Sequence, residues 1–373
     1  MKRLLKIFLI MTAFVAAFQI SAKALDTSDI ENSLDELKNS LSDEAKEDLE
    51  ELGVSSYSFS NVSNISFGSV ISLISEKIGE NSVQPFSSSA VVIAIVILYA
   101  LLNGYKNNLR AISMSQVVSV VSTLCITCAL IFPIIELINS SIVMLKDASN
   151  FMLLYIPVMI AILSFSGHII SSASYYSMVM IMCQTVSQIA SKFIAPLLNI
   201  YLGFCVSSAI TDRVNLKGFC AMFSKIIKWM IAFIMTVFSA MLTIRSIITT
   251  AYDSVTTRAV RFTLSSFIPV VGAAISEAYK SIQGSLNLLR SGAGVFVIIA
   301  ICIVFLPSIT KCLMWLVSIN LSKAIAQTVG VNEPCELLGS ISSVVSTVFA
   351  IIVSIMAIFI VSTALLISMG GAN

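Results

Sequence analysis

RAVRFTLSSFIPVVGAAISEAYKSIQGSLNLLRSGAGV, residues 258–295, is the least membrane-like part of an otherwise apolar half of the chain. Basic residues stand at both ends (Arg258, Arg261 and Arg290), Pro269 and Gly272 interrupt a short apolar run, and Glu277 and Lys280 follow where a spanning helix would still lie in lipid. Irregular or charged backbone is tolerated at membrane depth only where it is buried in protein or lines a watery cavity. A pathway or docking groove is therefore expected here, with Phe267, Pro269, Gly272 and Glu277 as candidate pathway or packing residues.

Composition sets the class of the remainder. The 373 residues are 57% hydrophobic and 11% charged, with a mean hydropathy of +0.96; soluble domains carry roughly 25% charged residues. The fold class is all-α, a polytopic helical membrane protein. Charge is unevenly spread, since residues 25–89 hold thirteen of the twenty acidic residues against Lys38, Lys46 and Lys77. Residues 90–373 hold fifteen basic residues against seven acidic ones. The net charge of +2 thus hides an acidic head on a basic membrane body.

Residues 1–24 read as a signal peptide: Lys2, Arg3 and Lys6, an apolar run over 7–20, then Ala22-Lys23-Ala24 as a small-x-small cleavage site. An uncleaved anchor is the rival reading, although 7–20 is short of the ~20 residues a span needs. Either way, residues 25–86 form an exported segment on the extracytoplasmic side. Ser28-x-x-Glu31 spells a capping box. Ile30, Leu34, Leu37, Leu41, Ala45, Leu49 and Leu52 then recur on one helical face, with Gly53 as the stop. Two readings remain for this helix: a solvated helix folded back on its own domain, or a partner-binding helix presenting Ile30, Leu34, Leu37 and Leu41. Its acidic polar face disfavours an anionic membrane surface. A Ser/Asn-rich linker (54–66) precedes a second amphipathic turn carrying Phe67, Val70, Ile71, Ile74 and Ile78.

The multi-spanning membrane domain occupies residues 87–373. Hydrophobic runs fall at 87–102, 115–138, 151–170, 175–191, 193–210, 229–248, 292–309, 312–328 and 340–369, with 263–281 left open, so about 8–10 spans are expected. With the exported segment outside, Lys106 and Arg110, and later Arg213, Lys217, Lys225 and Lys228, reach the cytoplasm, as the positive-inside rule requires. An internal duplication is also expected. Tyr155-Ile156-Pro157-Val158 is echoed by Phe267-Ile268-Pro269-Val270, Pro196 by Pro307, and Thr236-Val237-Phe238 by Thr347-Val348-Phe349, which maps 151–248 onto 263–360.

The run Ser265-Ser266-Phe267-Ile268-Pro269-Val270-Val271-Gly272, followed by SLNLLRSGAGV over 285–295, resembles the signature region of the stage III sporulation protein AE family. Ala273 stands where the family pattern would have a second glycine. The resemblance extends over the whole layout: signal, acidic exported segment, multi-spanning body. It implies a permease-like subunit of the channel complex that links the mother cell to the engulfed forespore, seated in the mother-cell membrane. The partners it implies are other stage III sporulation operon proteins: a secretion-type ATPase, small membrane subunits and ring-forming proteins facing the intermembrane space. So apolar a chain is also a candidate client of a YidC-type insertase.

The chemical inventory argues against an enzyme. His168 is the sole histidine and has no carboxylate or cysteine near it; Cys125-Ile126-Thr127-Cys128 lies inside an apolar run and reads as packing residues. No zinc pattern, phosphate-binding loop or nucleophile elbow is present, and no cofactor or nucleic acid is expected. Ionisable residues within spans are functional candidates by default. Lys192 and Arg245 lie near span ends and can snorkel; Glu136, after Pro133, and Glu277 are the candidates for a wet cavity, with Pro157 as a further packing position. Besides the channel subunit, two readings stand: an independent secondary transporter for a small solute, and a purely structural anchor for ring-forming partners.

Overall fold

The computed structural model describes residues 37, 39–53, 67–106, 112–165, 169–210, 216–267 and 272–368, and some of these, including 163–165, 169–177, 245–267 and 272–290, by their backbone alone. Among the described residues there is no strand. The helices are α1 (Asp43–Glu51), α2 (Phe67–Lys106), α3 (Ile112–Phe165), α4 (Ile169–Ile189), a π turn (Ala190–Ile194), α5 (Ala195–Ile210), α6 (Lys217–Phe267), α7 (Gly272–Thr328) and α8 (Asn332–Ser368). The signal peptide, the Ser28 capping box, His168 and the 54–66 linker lie outside the described residues.

Among the described residues six helices are long and apolar enough to cross a membrane, taking α4, the π turn and α5 as one, and the chain is a polytopic helical membrane protein. The nine hydrophobic runs do not map one to one onto them. Runs 115–138 and 151–170 both fall on α3, 175–191 and 193–210 on the α4–α5 unit, and 292–309 and 312–328 on α7. The runs outnumber the long helices because Lys146-Asp147, Lys192 and Lys311 interrupt the hydropathy but not the helix. Pro133, Pro157 and Pro307 sit inside unbroken helices. A proline there forfeits one hydrogen bond and bends the helix, but does not end it.

Polar contacts set the register. Gln84 of α2 donates to Glu136 of α3 at 3.5 Å, and Asn81 of α2 donates to Thr310 of α7 at 3.2 Å. Lower down, the Tyr99 hydroxyl of α2 donates to Glu333 at the start of α8 at 3.0 Å. Helices α7 and α8 run antiparallel, with Ser342 donating to Asn320 at 3.0 Å and Phe305 meeting Phe359 edge-on at 6.2 Å. The ends of α2, α5 and α7 and the starts of α3, α6 and α8 thus gather at one end of the bundle, called the short-loop end after the turn at 329–331, and the ends of α3 and α6 with the starts of α4 and α7 lie at the other. Gly330, at φ 77°, makes the left-handed turn that closes α7.

The helices are far longer than a bilayer is thick. The 54 residues of α3 and 57 of α7 run to about 80–85 Å at ~1.5 Å per residue, against ~30 Å of hydrocarbon. Midway along them lies a polar belt of Asn81, Gln84, Glu136, Thr310 and Lys311, with Pro85, Pro133 and Pro307 within a turn of it. On the short-loop side of this belt large apolar side chains face outward, among them Phe86, Leu98, Phe132, Trp229, Phe233 and Val317. On the other side α3 turns most of its described apolar residues inward: Phe151, Met152, Tyr155, Ile156, Met159 and Ile162 are buried and Val143 and Leu154 exposed, while Ile71, Ile74 and Ile78 of α2 and Met180 and Ile181 of α4 are exposed there.

Candidate functional site

Helix α1 is a docked element. Ser42 caps it, accepting from the Ala45 amide at 3.3 Å, Asp43 and Glu44 occupy its first turn, and Gly53 at φ 78° ends it. The amphipathic pattern is therefore reset at Ser42, rather than running unbroken to Leu52. Leu37, Leu41, Ala45, Leu49 and Leu52 are buried in the same core as the long helices. A groove of about 440 Å³ beside α1 is lined by α3 (Ser140, Phe151) and α7 (Val304, Pro307). Of the apolar face, Leu37 and Leu41 are thus covered by the chain's own body; Ile30 and Leu34 lie outside the described residues. What α1 presents outward is acid: Asp43, Glu47, Glu50 and Glu51 are exposed.

An ion cluster pins α1 to α2. The Lys77 ammonium lies 2.8 Å from Glu44, 3.1 Å from Asp48 and 3.6 Å from Glu80. Burial, outweighing the attraction of Lys77, pushes the Asp48 carboxyl above its ordinary range. Neither Lys77 nor Asp48 stands out as a site in the sequence, yet a signal exists. Asp48 falls at the apolar-face spacing of Ala45, Leu49 and Leu52, and Lys77 at that of Val70, Leu73 and Ile74. A charge on each apolar face calls for its opposite.

The belt gathers some of the candidate pathway residues. Glu136 lies 4.0 Å from Lys311 and beside Gln84, with its side chain 63% exposed. It is solvated at one level with Asn81 and Thr310 rather than enclosed. Lys192 is exposed in the π turn and donates to Gln188 at 3.3 Å. Pro157 stands further out on α3 and is exposed. Phe267 closes α6 and Gly272 opens α7, so within the 258–295 stretch these two helix ends lie at the far end from Gly330. Pro269 lies outside the described residues, as do the side chains of Phe267 and Glu277. Cys125 and Cys128 are exposed on α3.

At the short-loop end a cleft of about 670 Å³ opens between α5, α6, α7 and α8. Lys225, Lys228 and Lys323 line it with several serines, and Glu336 is the one acidic side chain among the described residues that line it.

The sequence model of the family described as stage III sporulation protein AE matches residues 54–370. The chain belongs to that family. The match takes in α2 to α8 and begins after α1. Stage III sporulation protein AE of Bacillus subtilis (strain 168) is 25% identical over 234 residues, which is 62% of this chain and 58% of that relative's length. No solved structure matches. Family membership, together with the six long apolar helices, makes this a sporulation-related multi-pass membrane protein.

Proposed function

We propose that this chain is a non-enzymatic, permease-like or scaffold subunit of the complex linking mother cell and forespore. In this reading the short-loop half of the bundle crosses the mother-cell membrane six times. The outer half projects into the intermembrane space and carries α1 against its flank. The observation that carries it is the polar belt: on its short-loop side α2, α3, α6 and α7 turn large apolar side chains outward, while beyond it α3 buries most of its described ones. Lys225, Lys228 and Lys323 at the short-loop end fit the cytoplasmic side. An N-terminus exported by a signal would put α1 on the outer side of the belt, in keeping with its packing beside Lys77, Ser140 and Pro307.

With its apolar face docked, α1 offers ring-forming partners an acidic surface of Glu47, Glu50 and Glu51. The test is charge reversal at these three exposed positions, read by sporulation efficiency and by cross-linking to the operon's ring-forming proteins. Loss of both at an unchanged membrane level supports the reading. Full cross-linking and normal sporulation would remove α1 from the partner surface. Passage of solute is tested separately by cysteine labelling from Phe262 to Gly294 with and without the partners. A water-accessible stripe that depends on the partners indicates a conduit, and one that does not indicates an anchor.

A further inference from the structure

The lysines of the cleft at the short-loop end enter the reading above only through the side of the membrane they favour. The cleft is bounded by four helices, and Lys225 and Lys228 from α6 meet Lys323 from α7 across it, with Ser224, Ser340 and Ser343 supplying hydroxyls. Among the described residues no carboxylate comes within ion-pair distance of any of the three lysines. Gly339 keeps the floor open, since a Cβ there would lie 3.2 Å from the Lys323 ammonium. Immediately outside, α6 and α7 turn Phe219, Met222, Trp229 and Leu321 to the surroundings. Cations and hydroxyls inside an apolar rim match a molecule with a phosphate head and hydrocarbon tails. Basic pockets between membrane helices on the cytoplasmic side suit anionic headgroups.

We propose that this cleft binds the phosphate headgroup of an anionic phospholipid. The assignment to the cytoplasmic leaflet rests on the orientation proposed above; the binding chemistry does not. The headgroup joins α6 to α7 and α8 by ion pairing to lysines from both sides of the cleft, and Trp229, one residue after Lys228, lies against the tails.

The test is native mass spectrometry of the full chain in mild detergent, titrated with phosphatidylglycerol and with phosphatidylcholine of the same chains. The expected result is a preference for phosphatidylglycerol of at least about tenfold, lost in the K225Q/K228Q/K323Q variant and in Gly339→Leu. Equal binding of the two lipids to the wild type, or a preference that survives in folded variants, overturns the proposal. So does displacement of the lipid by low-millimolar inorganic phosphate, which indicates a soluble phosphate ligand, or by an acidic peptide, which indicates a protein partner. Should the variants fail to fold, brominated phosphatidylglycerol must quench the native chain's Trp229 more than brominated phosphatidylcholine does at equal mole fraction; equal quenching overturns the proposal. Preference in detergent is indifferent to which way the chain inserts, so a reversed orientation would leave this result standing.

Discussion

Lys77→Ala is expected to undock α1. The ammonium stands 3.1 Å from Asp48, and both side chains are 7% exposed. Glu44 and Glu80 are more than half exposed, at 58% and 57%, so their pairs are each worth about 1 kcal/mol or less. The Asp48 pair dominates, because removing one partner of a buried ion pair costs about 3–5 kcal/mol by leaving the other charge uncompensated. Asp48 can escape part of this by taking up a proton, which places the expected cost near the lower end, about 3 kcal/mol at neutral pH. That shifts the docking equilibrium about a hundredfold. Amide hydrogen exchange over residues 45–53 reads it directly. Lys77→Ala should accelerate exchange by about that factor. Asp48→Asn alone should change little, and the double variant should recover most of the protection, since a neutral amide needs no counter-ion. Exchange in Lys77→Ala at the wild-type rate, or undocking by Asp48→Asn as complete as by Lys77→Ala, would refute the reasoning.

The raised Asp48 pKa has a pH signature. The docked helix holds a proton at pH values where the free helix has lost it, so this group's favourable contribution to docking is fully present below the ordinary carboxylate pKa and is lost as pH rises through the raised one. Exchange corrected for its intrinsic pH dependence should therefore slow from pH 7 to pH 4, and Asp48→Asn should flatten the profile. At Gly294 a Cβ would run into the Ile367 side chain; Gly294→Val should cost about 1–3 kcal/mol by overpacking, lower the melting temperature in detergent, and be rescued by Ile367→Ala. The two tryptophans should behave oppositely. Trp315 is fully buried and Trp229 is 66% exposed, so Trp315→Ala should cost about 3–5 kcal/mol, while Trp229→Ala should stay within about 0.5 kcal/mol in thermal melts.

The helical class and the amphipathic face of α1 were legible in the sequence because both rest on periodicity. Leu37, Leu41, Ala45, Leu49 and Leu52 repeat at helical spacing, and all are buried. The restart at Ser42 was not read, because a cap competes locally with a pattern that continues across it. The hydrophobic runs outnumber the long helices for a related reason. Hydropathy measures how apolar a window is, and a buried helix outside lipid is as apolar as one inside it. Residues 151–162 illustrate this: they read as a span, but within α3 they are the outer continuation of a helix that already contains 115–138. The Lys77 cluster joins residues thirty-three positions apart, and a pairing at that distance depends on tertiary placement that no local pattern carries. Charges on apolar faces were the only hint.

The division of the bundle is tested most directly by labelling single cysteines, on a background lacking the eight native ones, with a membrane-impermeant maleimide applied from outside. Leu154 and Ile181 lie exposed beyond the polar belt, Ile97 and Phe132 exposed on the short-loop side of it. If the outer half projects into water, positions 154 and 181 label readily, while 97 and 132 stay protected by lipid. If 154 and 181 are as protected as 97 and 132, residues 151–170 and 175–191 lie in the membrane, and the account of a projecting bundle is wrong.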